Sequence, residues 1–138
     1  MKSIIEVMRS LPQMESCAPV SETEIKKAEK ELGLNFSDEY KAYVKEFGEV
    51  SANSIELTGI IDVAYLNVVT STKEKWQFNP LVPHDMYVVE DTCIDGIIIW
   101  QNQKGEIFKS LPNEKPNQIA ASLAEYFCQM FGYFYGML

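Results

Sequence analysis

The hydrophobic period of this 138-residue chain changes at Gly48, and that change limits the folds open to it. Upstream, apolar residues recur at helical spacing; downstream they alternate or run in short β-branched stretches. Val20-Ser21-Glu22-Thr23-Glu24-Ile25 carries the clearest local signal. Ser21 stands as an N-cap with Glu24 three residues on, a capping box, and Val20 and Ile25 occupy the staple positions. Ile25, Ala28 and Leu32 line one face, Lys26, Lys27 and Lys30 point to water, and Gly33 sits where a left-handed residue ends a helix. A second helix opens at Ser37 or Asp38, buries Tyr40, Tyr43, Val44 and Phe47, and closes at Gly48. Leu34-Asn35-Phe36 joins the two, so they form a helical hairpin. An earlier helix, with Ile4, Ile5, Met8 and Leu11 on one face, stops at Pro12, and Gln13 to Pro19 reads as a linker.

Beyond Gly48 the pattern reads as a sheet. Ser54 to Thr58 alternates, and Val63 to Val69 is β-branched and aromatic enough for a strand. Thr70 to Glu74 carries the cap of a short helix ending near Trp76 or Phe78. Met86 to Glu90 and Ile97 to Gln101 are strands joined through Thr92 to Gly96, where Asp95-Gly96 supplies the left-handed backbone of the reversal. Gln103-Lys104-Gly105 turns the chain again into Glu106 to Ser110, completing an antiparallel meander. Pro112 to Pro116 is a loop, and Asn117 caps a last helix with Ile119, Ala120, Leu123, Phe127 and Met130 as its stripe. The end, Phe131 to Leu138, is apolar on all sides. It either packs back on the sheet, the reading preferred here, or forms a self-association surface that would make a homodimer. The fold class is α+β: a helical hairpin, an antiparallel twisted sheet and a C-terminal helix. One domain spans 1–138, with 1–19 as leading helix and linker and 20–131 as core. Size scaling gives such a chain about 7,300 Å² of folded surface, enough burial for a core without staples.

Charge narrows the function. Twenty acids against twelve bases give −8, with residues 49–101 holding eight acids and two bases. No Lys or Arg lies between Lys75 and Lys104, a span holding Asp85, Glu90, Asp91 and Asp95. Direct nucleic-acid binding wants a basic stripe and is disfavoured. The imbalance suits either plain solubility or the steering of a basic partner. No apolar run approaches the ~18 residues that cross a bilayer, so no membrane role is expected. Met1 to Glu6 breaks its apolar run with a carboxylate and does not read as a secretory signal. Cys17, Cys93 and Cys128, odd in number and far apart, fit reduced thiols and a cytoplasmic setting.

The catalytic inventory is nearly empty. His84, the lone histidine, sits between Pro83 and Asp85, and pairing with Cys93 is the one nucleophilic arrangement it offers. Glu90-Asp91 with Asp95 is a weak candidate for a divalent cation, without the ligand loop of an EF-hand. No phosphate-binding glycine loop or hydrolase elbow occurs. The expectation is no enzyme, no metal and no cofactor. Trp76 and Trp100, amid apolar neighbours, read first as packing residues.

Several motifs in order resemble the SUKH superfamily. Val20-Ser21-x-x-Glu24-Ile25, Glu29-x-x-Leu32-Gly33 and Tyr40-Lys41-x-Tyr43-Val44-x-x-Phe47-Gly48 are similar to its opening helices. Tyr87 to Asp91, Ile94 to Trp100, Gly105 to Phe108 and Ile119-x-x-Ser122-Leu123-x-Glu125-Tyr126 resemble the Firmicute Smi/Knr-like branch, including Bacillus-type proteins encoded beside toxin genes. Asn35-Phe36 replaces the family's proline before the second helix, and Gly48-Glu49 replaces its glycine pair.

The resemblance implies an immunity protein. It would bind a cognate polymorphic toxin's C-terminal domain, a basic nuclease, and occlude its active site by mimicking phosphate charge. The same fold also serves non-toxin interaction and regulatory roles, which is the alternative. On that pattern the partner-binding residues are Glu49, Glu56, Glu90, Asp91 and Asp95, with Tyr65 or Trp100 as aromatic anchors.

Overall fold

In the computed structural model, residues 3–52 and 55–135 are described. The helical half follows its local chemistry. Helix α1, Ile4–Ser10, opens on a capping box that pairs Ser3 with Glu6, and it contributes Ile4, Val7 and Met8 to the main core. Helix α2, Glu22–Leu32, carries the expected Ser21–Glu24 box. It ends on Gly33 at φ 69°, where the Leu34 N–H returns to the Glu29 carbonyl at 3.2 Å. Helix α3, Asp38–Phe47, is capped by Ser37 and stops at Gly48. Ion pairs Glu22–Lys45 and Glu29–Lys41, at 2.6 and 3.8 Å, align α2 and α3 antiparallel as a hairpin. The Glu29 carboxylate also accepts the Phe36 N–H at 2.8 Å, which holds the turn without a proline. Arg9 pairs with Glu46 and ties α1 to α3.

Two antiparallel sheets follow. Strands β1 (Glu15–Ser16), β2 (Val50–Ala52) and β3 (Ile55–Glu56) form a small one, in that order. Strands β4 (Met86–Asp91), β5 (Ile98–Asn102), β6 (Ile107–Ser110) and β7 (Asn117–Ala120) form the expected meander, one strand longer than anticipated. The Thr58 N–H donates to the Val89 carbonyl at 2.9 Å and links the two.

Four expectations are corrected. The linker at Gln13 to Pro19 contains β1, which pairs with β2 once Gly48 reverses the chain. The strand anticipated at Ser54 to Thr58 is reduced to β3, with Ser54 outside the described residues. Val63 to Val69 is not a strand but a 3-10 turn, Ala64–Leu66, leading into helix α4, Val68–Phe78. Its cap is Asn67, whose Oδ1 accepts the Val69 and Thr70 N–H groups at 3.0 and 3.2 Å, outweighing the β preference of Val68-Val69. Asn117 does not cap the last helix, because Asn117–Ala120 completes the sheet against β6. Helix α5, Leu123–Tyr135, begins instead at Ser122, whose Oγ accepts the Glu125 N–H at 3.0 Å. Ser122-Leu123-Ala124-Glu125 is a capping-box sequence, so the signal was present. Met130 is exposed, and the apolar end beyond Tyr135 lies outside the described residues.

The core is aromatic and threaded by hydrogen bonds. Phe36, Tyr40, Tyr43 and Tyr87 pack with ring centroids 4.8–5.4 Å apart. Every buried hydroxyl among them must find a partner. Tyr40 bonds Thr58 Oγ1 at 2.8 Å, Tyr43 donates to the Thr58 carbonyl at 2.8 Å, and Tyr87 donates to Gln101 Oε1 at 2.9 Å. A second cluster, Val82, Met86, Val88, Ile98 and Trp100, lies with Trp76 of α4 packed against it.

Candidate protein-interaction surface

A β-bulge decides which acids reach the surface. Val88 pairs with Trp100, but the next pair is Glu90 with Ile99, so Val89 is the extra residue. Side chains alternate along a strand, and one inserted residue reverses the faces beyond it. Glu90 therefore shares the face of Ile99 and turns into the core. Its Oε1 accepts the Tyr126 hydroxyl at 2.6 Å, and burial pushes its carboxyl above the usual range. Asp91 pairs with Ile98 and comes out on the opposite face.

Glu49 is buried too. It accepts the Ser51 hydroxyl at 2.9 Å and the Cys17 thiol at 3.6 Å, and burial again raises its carboxyl. Trp100 is entirely buried and donates its indole N–H to Ser110 Oγ at 2.9 Å. Glu49, Glu90 and Trp100 were expected at an interface; all three are corrected to interior residues, because each is covered and hydrogen-bonded inside the fold. The inward Glu90 and outward Asp91 also disperse the cation site that the acidic turn offered. Among the described residues no group of three His, Cys, Asp or Glu is placed to hold a metal ion. His84 is exposed and stacks on Trp76, centroids 4.0 Å apart and planes 11° apart.

The remaining expected residues are accessible, and two of them meet. Tyr65, 63% exposed on the 3-10 turn, donates to Glu56 Oε2 at 3.3 Å, and the Glu56 charge pushes its hydroxyl up. Cys93 follows β4 at φ 57° and donates its backbone N–H to Asp91 Oδ1 at 2.9 Å. Its thiol is pushed up first by the Asp91 charge, and Glu56, on the strand β3 that packs beside β4, adds to it. Asp95, at φ 53°, stands exposed at the tip of the same turn.

Beside this acidic patch lies an apolar cavity of about 170 Å³ that the sequence reading missed. Lys75 and Phe78 come from the end of α4, Asp91 from β4, Ile98 and Trp100 from β5, and Leu111 from the loop after β6. Asn79 fixes that loop, donating to the carbonyls of Leu111 and Glu114 at 3.3 and 2.9 Å. Lys75 is held by Glu74 and Asp91 at 2.9 and 3.1 Å. A large aromatic at a helix end, Phe78, was the available signal.

Among the described residues no helix is long and apolar enough to cross a membrane. A search of curated proteins found no match. The SUKH_5 family model, described as SMI1-KNR4 cell-wall, matches residues 1–131. That span takes in the hairpin, both sheets and most of α5, and the α+β architecture agrees with it. The chain belongs to the SMI1-KNR4 family of the SUKH superfamily, a family of protein-interaction modules.

Proposed function

We propose that this chain is an immunity protein of the Firmicute type, acting in the cytoplasm against a cognate polymorphic toxin. The partner is the toxin's C-terminal domain, a basic nuclease, and the chain blocks its active site without making or breaking a bond. The observation that carries this reading is the accessible acidic face of Glu56, Tyr65, Asp91 and Asp95 on a chain of net charge −8. A nuclease groove must be cationic to hold phosphates, and an anionic protein surface competes for it. Tyr65, tethered to Glu56, supplies an aromatic contact at low entropic cost.

The test is coexpression with the toxin encoded beside the gene. Growth rescue and a purified complex are expected, and Glu56→Lys with Asp95→Lys abolishes both. Rescue that survives this double reversal, or no complex with the neighbouring gene product, overturns the reading in favour of a regulatory module binding a host protein.

A further inference from the structure

The cavity beside Asp91 is small. Its 170 Å³ is walled by Phe78, Ile98, Leu111 and the Trp100 indole. A cavity of about 150 Å³ lined by aliphatic and aromatic side chains accepts one benzene ring. The size therefore suits a single ring and falls below the roughly 300 Å³ where small-molecule sites begin. Phe78 and Leu111 remain 69% and 40% exposed at its rim, and Ile94 is 61% exposed on the turn that leads to its Gly96 wall.

The rim charge selects among apolar visitors. Among the described residues Lys75 is the one cation lining the cavity, and two carboxylates, Glu74 and Asp91, already share it. Asp95 adds a further negative charge one residue from Gly96. Lys109 pairs with Ile99 and so belongs to the opposite face of the sheet, while Glu114 and Lys115 offset each other in the loop. An apolar side chain entering here is met by net negative charge.

We infer that this cavity is an anchor site for a basic polypeptide segment, taking one aromatic side chain flanked by lysine or arginine. The proposal rests on the cationic-partner reading above and adds where the partner is gripped. The aromatic ring fills the space over Trp100, and its cationic neighbours lie against Glu74, Asp91 and Asp95. Anchors of this kind, one desolvated ring within a polar rim, concentrate binding energy at interfaces. Asp91 lines the pocket and also accepts the Cys93 N–H, so the pocket adjoins the acidic turn that carries Asp95.

The test is a nitrogen-15 NMR titration of the full chain with three capped tripeptides: acetyl-Lys-Phe-Lys-amide, acetyl-Lys-Ala-Lys-amide and acetyl-Glu-Phe-Glu-amide. The first is expected to shift the Trp100 indole N–H and the Gly96 amide saturably. The alanine peptide binds at least about tenfold more weakly, from the lost burial of a ring. The acidic peptide is weaker by a similar factor, from like-charge repulsion. Phe78→Lys, at an exposed rim position the fold tolerates, removes the binding, whereas Lys26→Ala, on the exposed face of α2, leaves it intact. Equal binding of the phenylalanine and alanine peptides overturns the anchor but leaves a cationic partner standing. Equal binding of the acidic peptide overturns the cationic partner as well. Absence of any shift at Trp100 and Gly96 overturns the site outright.

Discussion

The carboxylate of Glu39, in the first turn of α3, accepts the backbone N–H of Leu123 at 2.7 Å and so caps the start of a helix 84 residues away. Its other oxygen takes the Ala124 N–H at 3.0 Å, while Gln101 Nε2 donates to the first oxygen at 2.8 Å. The first N–H groups of a helix have no partner within it, and a negative charge there also meets the positive end of the helix dipole. Glu39 thus joins the hairpin, the meander and α5. Glu39→Ala should lower unfolding stability by about 3 kcal/mol, since hydrogen bonds to charged groups contribute roughly 1.5–3 kcal/mol. Glu39→Gln, which keeps one acceptor, should lose about half as much. Urea unfolding measures both.

Gly59 tests close packing without backbone strain. A Cβ there would stand 2.0 Å from the Gly48 carbonyl oxygen and 2.7 Å from the Glu49 Cβ, and backbone cannot yield. Gly59→Ala should cost about 3 kcal/mol or more, the upper range for overpacking. Gly33→Ala is the contrast. Nothing lies within 4 Å of a Cβ at Gly33, but its φ of 69° is left-handed, so a cost of about 1 kcal/mol is expected from conformation alone. Thermal melts of the two variants separate the causes.

Glu49 and Glu90 make stability depend on pH. Burial raises both carboxyls above the ordinary 4.5, so the native state holds their protons to higher pH than the unfolded chain does. Their contribution is complete below that ordinary value and is lost as pH rises through each raised one. Glu90→Gln, which still accepts the Tyr126 hydroxyl, should therefore gain stability relative to the parent as pH rises toward neutrality. A gap between the two that shrinks with pH would contradict this. Tyr126→Phe removes the 2.6 Å bond and should cost about 1.5–3 kcal/mol at neutral pH.

Charge reversal at the exposed acids should separate binding from folding. Glu56→Lys lies at the surface, where substitutions usually change stability by less than about 0.5 kcal/mol, and Asp95→Lys, also exposed, adds up to about 1 kcal/mol for a lysine at φ 53°. Association with a cationic partner should slow with each reversal and with added salt, because the acids act through long-range steering. Stopped-flow association at two ionic strengths reads the effect.

Local chemistry was legible in the sequence. The Ser21–Glu24 box, the left-handed Gly33 and the Asp95-Gly96 reversal each depend on residues within one turn of one another. A cap or a positive φ is chosen by nearby atoms, so a reader of the chain needs nothing else. The strand-like Val63 to Val69 misled because β preference is a weak prior and Asn67 supplied a stronger local bond. Asn117 to Ala120 misled because an apolar stripe at helical spacing also contains a short strand, and only pairing with β6 chose between them.

The sequence by itself determined the helical hairpin, the first three strands of the meander, the acidic balance and the family. Tertiary structure alone decided which acids serve a surface. The bulge at Val89 turns Glu90 inward and Asp91 outward, and no glycine or proline marks it. Trp100 is the floor of a cavity rather than its visitor because α4, β5 and the loop after β6 converge there from distant parts of the chain. A side chain's face depends on register, and register is chosen by what packs across the sheet, which local sequence does not encode.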